Sequence, residues 1–77
     1  MNEETTVRSY LQERFGNYRD DLGTEDSLEG VVDSLGLFEL VEFLERKFQL
    51  KIPNHEFTPR RFSSIGRILE TVAQFRN

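Results

Sequence analysis

Seventy-seven residues, 36% of them apolar, with a net charge of −4, leave room for one small domain with a modest core. The absence of cysteine excludes a disulfide framework and a thiolate metal centre, and no apolar run approaches the roughly 20 residues that would span a bilayer. The acidic balance argues against nucleic acid as the main ligand, because phosphate backbones are held by clustered cations.

The charge is unevenly spread. Residues 1–33 carry nine acidic and three basic side chains, whereas residues 57–77 carry one acid, Glu70, against Arg60, Arg61, Arg67 and Arg76. That basic final third keeps a nucleic-acid reading open as a distant alternative. The start, Met1-Asn2-Glu3-Glu4, is acidic, unlike the basic opening of a secretory signal, so the expectation is a cytoplasmic protein with no membrane segment.

Helical periodicity dominates the chain. Val7, Tyr10, Leu11 and Phe15 fall at i, i+3, i+4 and i+8, an amphipathic stripe with Asn2 as its cap, Glu3 and Glu4 in its first turn and Gly16 as its stop. Residues 16–33 then read as a long connection rich in Gly, Asn and Asp, with Leu22, Leu28, Val31 and Val32 spaced to pack on the helices. Loops longer than about 12–15 residues are uncommon in small domains and often functional. Asp33-Ser34 caps the clearest helix, in which positions 34, 37, 38, 41, 44, 45 and 48 trace one face and Glu39, Glu42 and Arg46 an exposed second one. Pro53 cannot continue it. Thr58-Pro59 predicts the N-cap and first residue of a very short third helix, and Ser63-Ser64 caps a fourth with Ile65, Ile68, Leu69, Val72 and Phe75 inward. The expected fold is all-α, a small four-helix bundle of three longer helices and one short, with a long loop between the first two.

Chemistry is sparse. His55, the one histidine, has no second group at a telling spacing, so no nucleophile–base set can be assembled and the chain is not expected to be an enzyme. The acidic stretch before Ser34 fails as a calcium loop: counted from Asp21, the sixth position is Asp26 where a glycine is needed and the twelfth is Val32 where a glutamate is needed. No metal site is expected. What remains is Asp33-Ser34-Leu35 at the mouth of the second helix, where free N–H groups and the positive end of the helix dipole favour an anion on the serine. By itself this tripeptide reads as a helix cap. It also occurs twice, and Asp26-Ser27-Leu28 is followed by Gly30 and Val31-Val32, which start no helix.

The segment Asp33-Ser34-Leu35-Gly36-Leu37-Phe38-Glu39-Leu40-Val41-Glu42-Phe43-Leu44-Glu45 resembles the carrier-protein family of acyl and peptidyl carrier proteins. So do Phe48 closing the helix, Ile52-Pro53 after it, the step from Phe62 through Ser63-Ser64 to Ile65, and the long first loop. The likeness covers essentially the whole chain, read as one carrier domain over residues 1–77. It implies a 4'-phosphopantetheine arm, moved from coenzyme A onto Ser34 by a phosphopantetheinyl transferase, with acyl groups riding on its thiol. Implied partners are that transferase, an acyl-loading ligase or acyltransferase, and downstream synthases or transferases of fatty-acid-like, polyketide or other specialised biosynthesis. The carrier itself is expected to be a monomer.

The same resemblance apportions roles. Asp33 acts in the transfer or positions the phosphate, and Leu35 is a half-exposed partner contact. Glu39 and Glu45 match acidic positions that meet basic partners. Phe38, Val41, Leu44, Phe48, Ile52 and Ile65 read as core. Departures are Glu42 where fatty-acid carriers have an apolar contact, Arg46 where they are acidic, and Arg60-Arg61 in a longer third-helix region. These charges disfavour partners with basic docking patches and point to a dedicated, specialised carrier. Residues 27–32 resemble carriers of ligase-loaded systems, which leaves an aminoacyl or peptidyl cargo open. A helical interaction module, with Ser34 as a cap only, is the alternative of a different class.

Overall fold

In the computed structural model, which describes residues 2–76, regular structure among those residues is wholly helical. The first helix, α1 (Glu3–Arg14), starts where the Asn2 side chain accepts the Thr5 N–H at 2.8 Å, satisfying one of the amides that a helix start leaves without a partner. It buries Val7 and Leu11 and ends as Phe15 donates its N–H to the Leu11 carbonyl, one residue ahead of Gly16.

The connection from residue 15 to residue 33 holds no helix, yet it is built into the domain. Leu22 and Leu28 enter the core, and short turns close at Tyr18, Leu22 and Asp26. Two backbone bonds of 2.8 Å, Leu28 N–H to the Ser63 carbonyl and Gly66 N–H to the Thr24 carbonyl, staple the loop to the start of the last helix.

The second long helix, α2 (Ser34–Phe48), follows directly, with Asp33 as its N-cap. Its buried face is Gly36, Leu40, Val41 and Leu44. Gln49 ends it in the left-handed conformation at φ 55°, and the Glu45 carboxylate reaches past the turn to accept the Ile52 N–H at 2.9 Å. Phe38, expected in the core, stands 59% exposed. Apolar residues run almost right round this helix, so their spacing alone does not fix which arc faces inward.

The expected short third helix is a 3-10 turn over Pro59–Phe62, with Thr58 as a cap that makes no side-chain bond and Pro59 at its first position. The span between Pro59 and the Ser64 cap is too short for an α ladder, and i→i+3 bonds close it instead. A second 3-10 turn, Asn54–Glu56, follows Pro53 and was not evident from the spacing. The last helix, α3 (Ile65–Phe75), is capped by Ser64, whose hydroxyl accepts the Arg67 N–H at 3.1 Å. It buries Ile65, Ile68 and Val72 as expected, Thr71 joins them, and Leu69 and Phe75 pack partly buried against the core. The Thr71 hydroxyl lies within hydrogen-bond reach of the Arg61 and Arg67 carbonyls, which makes its burial tolerable. Leu50, Ile52 and Phe62 join all three helices and the two loop leucines in one core. An ion pair between Glu3 and Arg76 joins the ends of α1 and α3.

Candidate functional site

The site begins with the division of labour between Asp33 and Ser34. Asp33 has extended backbone, and its Oδ1 accepts the Gly36 N–H at 2.7 Å while its carbonyl accepts the Leu37 N–H. The cap is therefore the aspartate. Ser34 is the first residue inside the helix, exposed, and its hydroxyl is not committed to closing the helix end. The amides of Ser34 and Leu35, in the first turn, lie outside the helix ladder and favour negative charge on the serine.

This first turn is seated from below by an aromatic ring. A Cβ on Gly36 would come within 2.5 Å of Phe15 Cε1, so the Phe15 ring occupies the place a side chain would take. Phe15 meets Tyr10 edge-on at 6.1 Å, and Tyr10 stacks on Phe43 at 4.0 Å. Burial pushes the Tyr10 phenol above its ordinary range, and the nearby Glu39 charge adds to the effect.

Two surfaces flank Ser34. On one side lies a cleft of about 570 Å³ between residues 27–33, the start of α2 and the 3-10 turn at Pro59. Leu28, Val32, Leu37 and Phe62 give it an apolar lining, and Glu29, Asp33 and Arg60 bring charge to it. On the other side Leu35, 72% exposed, and Phe38 form an apolar patch, with Phe57 edge-on to Phe38 at 6.0 Å.

The remaining charged residues singled out in the sequence are not equivalent. Glu42 and Arg46 face solvent as a loose pair at 3.7 Å. Glu39 is held by Arg14 at 2.6 Å, and Glu45 is turned to the Ile52 amide. Arg61 points into the fold, bonded to Glu56 and Gln74 at 2.6 Å each and lying over the Phe75 ring. Its neighbour Arg60 is exposed and has no ion-pair partner among the described residues. His55 is exposed beside Glu56 at 3.5 Å. Among the described residues no three metal-ligating side chains converge, and no helix is long and apolar enough to cross a membrane.

Missed from the sequence were the seat that Phe15 makes for Gly36 and the exposure of Phe38 beside Ser34. Both depend on which arc of α2 faces α1, a property of packing between segments.

No protein-family model matches the chain. D-alanyl carrier proteins of Streptococcus sanguinis (strain SK36) and Streptococcus gordonii (strain Challis) are each 32% identical to it over 78 residues, covering all of this chain and 99% of theirs. The D-alanyl carrier protein of Streptococcus uberis is 38% identical over 58 residues, 74% of this chain and 73% of its own. Among solved structures, a chain from a structure described as a crystal structure of an FAD-dependent dehydrogenase superposes with a TM-score of 0.69 at 26% identity, over 92% of this chain and 99% of that one.

Proposed function

The chain belongs to the carrier-protein family, and we propose that it bears its cargo on a 4'-phosphopantetheine arm attached to Ser34. A carrier protein catalyses nothing itself; it presents a group to enzymes that do. The observation that supports Ser34 most directly is the capping geometry: Asp33 closes the helix, so the adjacent hydroxyl is free to be modified without unravelling the first turn. When bound, the arm supplies a terminal thiol on which cargo rides as a thioester, a group this cysteine-free chain lacks.

The residues present suit that group. The hydroxyl is exposed at the end of a rigid helix, where a transferase can reach it, and the adjoining cleft offers an apolar wall to a flexible chain. Free amides in the first turn oppose the charge of a phosphodiester, by about 0.3–1 kcal/mol at an exposed helix end. Leu35 and Phe38 give partner enzymes an apolar contact beside the attachment point. Ser27 is exposed on the same cleft but starts no helix, and its hydroxyl accepts the Glu29 N–H at 3.0 Å in a local turn.

For cargo we favour an aminoacyl group. The relatives that align along the whole chain are named as D-alanyl carriers. In this reading residues 1–77 form one carrier domain, loaded by a ligase and working in the cytoplasm with a phosphopantetheinyl transferase and a downstream transferase.

The decisive measurement is the intact mass after incubation with coenzyme A and a broad-specificity phosphopantetheinyl transferase. The wild type and Ser27→Ala should gain one arm, and Ser34→Ala none. No gain in the wild type, or a gain that survives Ser34→Ala, would refute the assignment and favour a cofactor-free interaction module. Mass spectrometry of protein isolated with its thioester intact then reads the cargo, and a long fatty acyl chain would overturn the aminoacyl reading.

A further inference from the structure

Arg60 and Arg61 are adjacent in sequence, and the fold sends them in different directions. Successive side chains of a 3-10 turn lie about 120° apart, so only one of the two can face α3. That one is Arg61, engaged by Glu56, Gln74 and the Phe75 ring. Arg60 lines the cleft beside Ser34, where Glu29 and Asp33 are the other charged residues, and it also borders a groove shared with Arg61 and Arg67.

The backbone that carries Arg60 is well fixed. Its carbonyl accepts the Ser63 hydroxyl at 3.0 Å, Phe62 is buried, and the Ser63 carbonyl receives the Leu28 N–H at 2.8 Å. The turn bearing Arg60 is thus stapled to the loop that leads into Ser34. A phosphodiester on Ser34 would place a third negative group beside Glu29 and Asp33. Like charges at close range destabilise one another, and one cation in the same cleft can offset them. An arginine is well suited, since its planar fork can donate to two phosphate oxygens at once.

We propose that Arg60 is a clasp for the arm: in the loaded protein its guanidinium pairs with the phosphodiester on Ser34 and holds the base of the arm along the cleft. The inference rests on attachment of the arm to Ser34. Arg60 is a positioning residue, and because it is exposed the pair is strong enough to bias the arm and weak enough to release it to a partner.

The test uses the full chain, loaded with the arm and verified by mass, as wild type, Arg60→Gln and Arg60→Lys, with circular dichroism melts to show that the fold is kept. Phosphorus NMR reads the phosphodiester, and relaxation of the two geminal methyl groups reads the freedom of the arm. In the wild type the phosphorus resonance should be displaced from that of free phosphopantetheine and return toward it as salt is added. Arg60→Gln should raise the free-arm population about two- to five-fold at low salt and remove most of the salt response. Arg60→Lys should keep part of both. Identical phosphorus shifts and methyl relaxation in wild type and Arg60→Gln would overturn the clasp. So would a variant that slows a partner enzyme while leaving both signals unchanged, which would make Arg60 a partner contact. Failure to load any arm on Ser34 would show itself earlier, in the mass, and would strike the functional reading.

Discussion

The tripeptide Asp-Ser-Leu occurs twice, at residues 26–28 and 33–35, and the two copies are used in opposite directions. In the first, Asp26 reaches back to accept the Gly23 N–H at 2.8 Å, Ser27 is tied into a turn, and Leu28 is 2% exposed. In the second, Asp33 reaches forward to the Gly36 N–H, Ser34 is left free, and Leu35 is 72% exposed. The composition of the tripeptide decides none of this. Glu29-Gly30 follows the first, with Gly30 at φ 86° turning the chain away from a helix, whereas a 15-residue helix runs on from the second. One copy anchors a loop, and the other displays a serine.

The largest effect that could break this contrast is on stability. Leu28→Ala should cost about 2–5 kcal/mol, because it empties a packed site in the core. Leu35→Ala should stay within about 0.5 kcal/mol, since it removes only surface. Urea denaturation of the two variants reads both values, and similar losses would mean that the leucines are not in opposite environments. For a domain this small, whose whole stability is on the order of 5 kcal/mol, Leu28→Ala brings the fold close to its limit.

Much of this contrast could be read before the structure. The cap at Asn2, the capping pairs Asp33-Ser34 and Ser63-Ser64 and the helix stop after Phe48 follow from local chemistry, which one stretch of sequence contains, while the structure selects Asp33 and Ser64 within the pairs. Phe38 was misplaced because α2 is apolar on most sides, and only the approach of α1 and α3 selects Leu40, Val41 and Leu44 as the inner face. Arg60 and Arg61 read as one basic pair for a similar reason. Their separation depends on the hand of a 3-10 turn and on Glu56, Gln74 and Phe75, drawn from both sides of it.

The support beneath the second tripeptide gives the next largest effect. Gly36→Ala should cost about 1–3 kcal/mol, because its methyl group and the Phe15 ring compete for the same space. Combining it with Phe15→Leu should lose less than the two single changes added together, as expected for residues in contact. Strict additivity in a double-mutant cycle would show that Phe15 does not seat the first turn of α2. Smaller again is the cap. Asp33→Ala should cost about 0.5–2 kcal/mol, and Asp33→Asn little, because asparagine caps equally well. If Asp33→Asn folds normally yet accepts the arm more slowly, the charge of Asp33 serves the transfer and its oxygen serves the fold.

The smallest expected effect lies behind the second copy, in the stack that Tyr10 makes on Phe43 and its edge contact with Phe15. The Tyr10 phenol titrates above its ordinary value in the folded chain, first because burial disfavours the phenolate and then because Glu39 lies near. An unfolded tyrosine loses its proton near pH 10, so over the window between that value and the raised one the unfolded state binds fewer protons. Stability is therefore fully present below about pH 10 and falls as pH rises through the folded value. Tyr10→Phe keeps the ring contacts and removes the titrating group, so its melting temperature should decline less over that window. Glu39→Gln should bring the Tyr10 titration, followed by ultraviolet absorbance, back toward the ordinary range. If neither variant changes the alkaline behaviour, the ring stack is more open to water than its packing against Phe15 and Phe43 indicates, and α2 draws its rigidity at Ser34 from the Asp33 cap alone.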